Sequence, residues 1–499
     1  MNTKTYQELL NRQKEIQLLG SMQGLLEWDQ RTYMPQAGAE HRAEQTALIA
    51  GVIHQKRTAP PIDKLLHELE ADREPDDSPE AVNIREWRRD YDKQTKLSRE
   101  LVEELTRTSV LSQQTWQQAR ADKDFSLFQP WLEKTLDLKR REAEAYGYTD
   151  DIYDPLLDTY EPGVKAVEVG KVLGELREAL VPLMKSIAAS GRKRDSSILH
   201  RDYPPAAQSA FVHKVAASIG YDFNAGRIDE TVHPFCIGLG PGDVRITTRY
   251  IPDFLNSALF GIIHEAGHGL YEQNLPREHW GTPMGEAVSL GIHESQSRLW
   301  ENLVGRSRAF WEFWYPTAQD HFQSLQNVPL DDFYLAINAV QPSLIRVEAD
   351  EVTYNLHILL RFELERELLT GRLAVADLPP AWNAKFFDYF GLEVPDDSLG
   401  CLQDIHWSAG LFGYFPTYSL GNLNAAQLYA AAEGELGGLP AMFRRGEFQP
   451  LLGWLQRNVH QHGRRYNSAE LIQRATGKPL SADAAVRYLE GKYGGRQVV

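Results

Sequence analysis

Phe260-Gly-Ile-Ile-His264-Glu265-Ala-Gly-His268-Gly-Leu-Tyr271 is the stretch on which the reading turns. In a helix, positions i and i+4 share a face. His264 and His268 can therefore present two imidazoles to one ion. Glu265, one residue on, is rotated off the metal yet close enough to reach a water beside it. Zinc held by such a pair lowers the pKa of bound water, and the carboxylate takes its proton during attack on a carbonyl. An HExxH string arises by accident in roughly a few per cent of chains this long. Here the apolar run Leu259, Phe260, Ile262 and Ile263 sets it on a buried helix, where idle polar groups are costly. A zinc-dependent peptidase is the functional expectation. The rivals are an endo-acting oligopeptidase with the same centre and a catalytically silent peptide-binding protein.

Most of the surrounding chain reads as helix. Apolar residues recur at helical spacing over residues 4–30. Residues 83–147 have almost no Gly or Pro and predict two long helices, and 164–190 predict another. The acidic stretch Asp72–Glu80, with Pro75 and Pro79, reads as a loop. Residues 227–252 are rich in Gly, Pro and β-branched side chains. Val244-Arg-Ile-Thr-Thr-Arg-Tyr250 alternates like a half-buried strand, so a small β patch is expected there. Helices are then expected at 254–275, 283–304, 331–339 and 343–370, the last ending at Gly371, with a loop-rich stretch at 391–410 and helix again at 467–493. No repeat or low-complexity linker divides the chain. The expectation is one catalytic unit over 1–499: a helical wall (1–225), a metal and substrate region (226–425) and C-terminal helices (426–499).

The bulk numbers narrow the partners. The chain has 499 residues, 42% hydrophobic and 24% charged, which is ample for a large globular core. A formal charge of −16 without a Lys/Arg block argues against nucleic acid. Two cysteines, Cys236 and Cys401, exclude a disulfide framework and a four-cysteine zinc site; two unpaired thiols are expected. No signal-like N-terminus and no run of about 18 apolar residues is present, so a cytoplasmic protein is expected, with no membrane partner.

A third metal ligand is needed. The positions seven and ten residues after His264 are Tyr271 and Asn274, which excludes the metzincin pattern. A glutamate on a following helix is the other common solution, and Glu286, Glu294 and Glu301 are candidates. His293, beside Glu294, should point elsewhere, because helix neighbours do not share a face. Arg245 and Arg346 are candidates to grip a free carboxylate with a bidentate fork. For each, a structural pair with Asp243 or Asp350 is the competing reading.

These strings together resemble the carboxypeptidase Taq family of metallocarboxypeptidases. The chain carries HPF at 233–235, DxRxT at 243–247, HExxH at 264–268, HESQ at 293–296, IRxxAD at 345–350 and GxxQDxHW at 400–407, in that order. Leu26-Glu-Trp-Asp-Gln30 and Met34-Pro35 are similar to the family as well, so the likeness spans nearly the whole chain. It implies that Glu294 is the third ligand. It implies a mostly α, two-lobed body with a deep groove and a small sheet, similar to neurolysin and angiotensin-converting enzyme. It implies broad, stepwise release of C-terminal residues from peptides with a free C-terminus, with terminal proline resisted, in a homodimer using Zn²⁺ or Co²⁺. Gln403 and His233 fall within these motifs and are candidates for substrate contact or for groove architecture. The wider resemblance to groove peptidases makes His406 and Tyr418 candidates for substrate binding and oxyanion stabilisation, with Tyr414 as the alternative to Tyr418.

Overall fold

The computed structural model describes residues 2–71, 77–189 and 195–494. Helix α1 (Thr3–Thr32) is capped by Asn2, whose side chain accepts from the N–H groups of Lys4 and Thr5. It is followed by α2 (Ala39–Arg57), α3 (Pro60–Ala71) and α4 (Pro79–Lys96). Residues 72–76 of the expected acidic loop lie outside the described residues. Its end, Pro79, opens α4 behind the Ser78 cap, where a missing N–H costs nothing. The Gly/Pro-poor run 83–147 is three helices rather than two: α4, α5 (Arg99–Asp122) and α6 (Phe125–Tyr146). The breaks fall at Ser98 and Asp124, whose side chains cap the helices that follow. Short α7 (Asp154–Leu157), α8 (Ala166–Ala189) and α9 (Pro205–Ile219) complete the first half.

The β patch is a three-stranded sheet of order β1-β3-β2, with β1 Gly226–Glu230, β2 Cys236–Gly240 and β3 Asp243–Thr248. β1 runs parallel to the central β3 and β2 antiparallel, with Ile228 opposite Ile246 and Cys236 opposite the same residue. Val244 and Ile246 point inward, as the alternation requires. That inner face meets α10 (Leu255–Gln273), the helix of the HExxH string.

Beyond α10 the helices begin later than their apolar patterns suggest. Pro283–Gly285 is a 3₁₀ turn, and α11 (Leu290–Arg298) starts at a Ser289 cap and runs into a π-helical turn, Leu299–Val304. After α12 (Arg308–His321) and α13 (Leu330–Ile337), the expected helix from 343 is irregular up to α14 (Tyr354–Leu369). Gly371 (φ 72°) stops it in the left-handed region. α15 (Leu378–Phe390), α16 (Pro416–Leu436), α17 (Leu439–Arg444), α18 (Gln449–Asn458), α19 (Ser468–Thr476) and α20 (Asp483–Tyr493) follow. The last two split one expected segment at Gly477 (φ 72°).

Three apolar clusters hold these elements. One gathers α9, α10, α12, α13 and α16 to α19; a second gathers α5 to α8, α14 to α16 and α20; a smaller one joins α1 to α4. α16 serves the first two, giving Ala425 and Leu428 to one and Leu420 and Leu423 to the other. The apolar side of α10 is fully sealed: Leu259, Ile262, Ile263 and Leu270 are each 0% exposed. Each such burial is worth about 1.5–3 kcal/mol, enough to anchor a helix whose other face carries costly polar groups. Cys236 and Cys401 are free thiols. Among the described residues, no helix is long and apolar enough to cross a membrane.

Candidate metal centre

α10 and α11 bring His264, His268 and Glu294 together, with one ligand atom of each within 4.8 Å of the others. Glu294 Oε2 lies 3.7 Å from His264 Nε2 and 3.4 Å from His268 Nε2. Ligands about 2.1 Å from a tetrahedrally held zinc stand about 3.4 Å apart, so the three donors fit a divalent ion. Two glycines permit the approach. A Cβ on Gly267 would fall 2.6 Å from Ser297 Cα of α11, and one on Gly421 of α16 would fall 2.7 Å from Glu294 Cβ.

Each donor is oriented from behind. His264 Nδ1 donates to Glu301 Oε2 at 2.9 Å, which leaves Nε2 bare. Glu272 Oε1 accepts from His293 Nε2 at 2.9 Å, so His293 Nδ1 is the acceptor for His268 Nδ1–H at 2.6 Å. His268 Nε2 is thereby bare as well. His293 is not grouped with the three donors, but through this bond it backs one of them. Arg298 Nε holds Glu294 Oε1 at 2.6 Å, while Oε2 faces the histidines and accepts from Ser297 Oγ at 3.2 Å. Of the other two glutamates weighed as ligands, Glu301 sits on the π turn as the partner of His264. Glu286 instead receives Gln17 Nε2 at 2.8 Å and Arg464 Nη1 at 3.1 Å.

Charge states follow from this packing. Burial drives His268 down to about 3, against the pull of Glu294, so the ring is neutral. Burial opposes ionisation of Glu294, yet the Arg298 guanidinium holds its pKa well below the ordinary range. Glu265, on the same helix and 7% exposed, is pushed up to about 7 by burial.

The start of α11 is fixed from the N-terminal half. Glu161, fully buried, accepts from Gly291 N–H and from Ser468 Oγ at 3.1 Å, and Tyr160 C=O accepts from Leu290 N–H at 3.2 Å. Burial raises Glu161 from 4.5 to about 7, against those donors. The folded state then holds this proton more tightly than the unfolded chain does. Stability is lost as pH rises from about 4.5 to about 7. Glu161→Gln is expected to remove that slope. Its deficit against the parent, read from urea midpoints, should shrink between pH 5 and pH 8; a constant difference would place this carboxyl in the ordinary range.

Beside the centre lies a second polar group. Tyr354 links the two, with Arg298 Cζ 4.8 Å from its ring centroid and Arg346 Nη1 donating to its hydroxyl at 3.1 Å. Arg346 is 7% exposed and pairs with Asp404 Oδ1 through Nε (3.0 Å) and Nη2 (2.9 Å), rather than with Asp350. Asp350 instead caps the backbone at Val352 and Thr353. His406 Nε2 stands 3.3 Å from Tyr418 Oη, and burial lowers this imidazole to about 4, so it is neutral. The Tyr414 ring packs 5.4 Å from that of Tyr418.

Three other candidates remain. Gln403 spends its amide inside the protein, accepting from Arg346 N–H at 2.9 Å and donating to Leu344 C=O at 3.0 Å. Arg245 is taken up bidentately by Asp243 at 2.7 and 2.8 Å on β3. His233 is exposed on the turn entering β2. A cavity of about 840 Å³ opens beside His293, walled by Gln17, Asp90, Lys93, Tyr160 and Arg464.

Spacing alone shows two of the supporting residues: Glu272 and Arg298 lie four positions after His268 and Glu294, on the same helix faces. Nothing in the sequence marks Tyr354, Arg361 or Glu161, which reach the site only through tertiary packing.

Comparison with known proteins gives the family. Residues 8–493 match the family described as carboxypeptidase Taq (M32) metallopeptidase. Thermostable carboxypeptidase 1 of Thermus thermophilus is 50% identical, over 98% of each chain. Carboxypeptidase 1 of Bacillus subtilis is 39% identical, over 99% of each. The crystal structure of the M32 carboxypeptidase of Deinococcus radiodurans superposes with a TM-score of 0.96 at 45% identity, covering 98% of this chain and 99% of that one. The chain belongs to the carboxypeptidase Taq (M32) family and is a metallocarboxypeptidase.

Proposed function

We propose that this carboxypeptidase is zinc-dependent and releases amino acids one at a time, with broad specificity, from peptides with a free C-terminus. The observation that carries the reading is the link from the three-donor cluster through Arg298 and Tyr354 to Arg346. It joins a hydrolytic centre to a grip for a terminal carboxylate. His264, His268 and Glu294 would hold the ion, Zn²⁺ or in substitution Co²⁺, both of which suit two imidazoles and a carboxylate. When bound, the ion supplies Lewis acidity toward water and the scissile carbonyl. Glu265 takes the proton from the attacking water and returns it to the leaving amine. Tyr418 donates its O–H to the oxygen that gains charge, and neutral His406, against Oη, orients that hydroxyl. Arg346 keeps one N–H on each Nη free of Asp404 and Tyr354, and these face the terminal carboxylate.

Breadth of specificity, resistance of terminal proline and a homodimer are carried over from the family resemblance. A cytoplasmic location fits two unpaired thiols. The test is a time course of free amino acids from one unblocked peptide and from its C-terminal amide, with and without chelator. Stepwise release from the free acid, abolished by chelator and restored by zinc or cobalt, is expected. Internal cleavage of both peptides would overturn the exopeptidase grip.

A further inference from the structure

The segment Gly400–Phe415 carries Asp404, His406 and Tyr414, yet it forms no regular helix or strand. Backbone hydrogen bonding cannot by itself fix its side chains to the tolerance that substrate binding needs, about 0.5 Å. One face of α14 does this instead. Arg361 and Glu365 lie one turn apart, and both are 0% exposed. Arg361 Nε donates to Asp404 Oδ2 at 2.6 Å. Glu365 Oε1 accepts from Trp407 Nε1 at 2.9 Å, and Oε2 accepts from Gly413 N–H at 3.2 Å and from Tyr153 Oη at 2.5 Å. The carboxylate thus ties down both flanks of the turn, one residue after His406 and one residue before Tyr414. Among the described residues, the one hydrogen-bond donor to Glu365 from outside the segment is Tyr153.

We propose that Glu365 is a positioning residue for the peptide C-terminus, acting through Trp407 and Gly413 to fix His406 and the Asp404–Arg346 pair. The inference rests on the reading of Arg346 and His406 as substrate contacts. A buried acceptor that served stability alone would be equally sensitive to each of its three donors. A positioning residue is sensitive to those on the segment. Glutamine at 365 replaces one acceptor oxygen by a donor, so either the Trp407 or the Gly413 N–H loses its partner; the Tyr153 hydroxyl can turn and accept. The unmatched N–H leaves one flank of the segment untied.

The experiment compares Glu365→Gln, Trp407→Phe and Tyr153→Phe, each assayed on an unblocked peptide and on its C-terminal amide, with metal content and melting temperature measured alongside. Trp407→Phe deletes one N–H and keeps an aromatic ring, so it serves if Glu365→Gln folds poorly. Glu365→Gln and Trp407→Phe should raise KM for the free acid about tenfold or more. They should narrow its advantage over the amide and leave metal content unchanged. Tyr153→Phe should lose comparable melting temperature while KM stays within about twofold of the parent. Equal KM in all three variants, or KM shifts that simply track melting temperature, would overturn the proposal. Should the parent cut acid and amide alike, the carboxylate grip fails separately. Positioning is then still judged by KM in Glu365→Gln and Trp407→Phe against Tyr153→Phe.

Discussion

Glu265→Gln is expected to retain the metal and to lower kcat by roughly 10²–10⁴-fold, the range that general acid–base catalysis contributes. The substitution keeps the shape of a side chain that is 7% exposed and removes only the capacity to take and return a proton. None of the bonds that orient the three donors involves Glu265: Glu301 backs His264, His293 backs His268 and Arg298 backs Glu294. Metal content measured on the purified variant should therefore match the parent. The fold should lose nothing and gain slightly, because burial disfavours the charged form of this group and glutamine has none. Turnover within about tenfold of the parent, with metal bound, would remove Glu265 from the proton transfers. A variant that loses the metal would point to a ligand role and reopen the assignment of Glu294.

The parts of this site that could be read from the chain are those whose geometry is local. His264 and His268 share a helix face by spacing alone, and the apolar run before them predicts that the helix is buried; α10 meets both expectations. Glu294 is different. Spacing leaves it beside Glu286 and Glu301, and only the ordered motifs of the family separate the three. The separation comes from tertiary structure: Glu286 reaches Gln17 and Arg464, while a π turn carries Glu301 to the back of His264. The π turn has no sequence mark. The onset of α14 was obscured for a related reason. Residues 343–353 are as apolar as the helix that follows, but they wrap Arg346 against Gln403 and Asp404, whose contacts are more than fifty residues away in the chain. The split of 83–147 into three helices was legible in Ser98 and Asp124, both good N-caps. A composition dense in helix formers outweighed them.

The two arginines offered for the terminal carboxylate should behave very differently. Arg346→Ala is expected to lower kcat/KM on an unblocked peptide by roughly 10²–10³-fold, in line with the loss of a buried, charge-assisted pair. Activity on the C-terminal amide, which has no anion to lose, should change far less. The fold can tolerate the change, because Asp404 keeps Arg361 as its partner at 2.6 Å and is not left as an unpaired buried charge. Arg245→Ala should cost little on either peptide. Its guanidinium is already held bidentately by Asp243, at the start of β3, where that carboxylate is 43% exposed and can return to water. Kinetics of both variants on the acid and the amide separate the cases. A large loss on both peptides for Arg346→Ala would mean that this arginine organises the loop around Asp404 and does not meet the substrate. A selective loss on the acid for Arg245→Ala would move the grip to the β sheet.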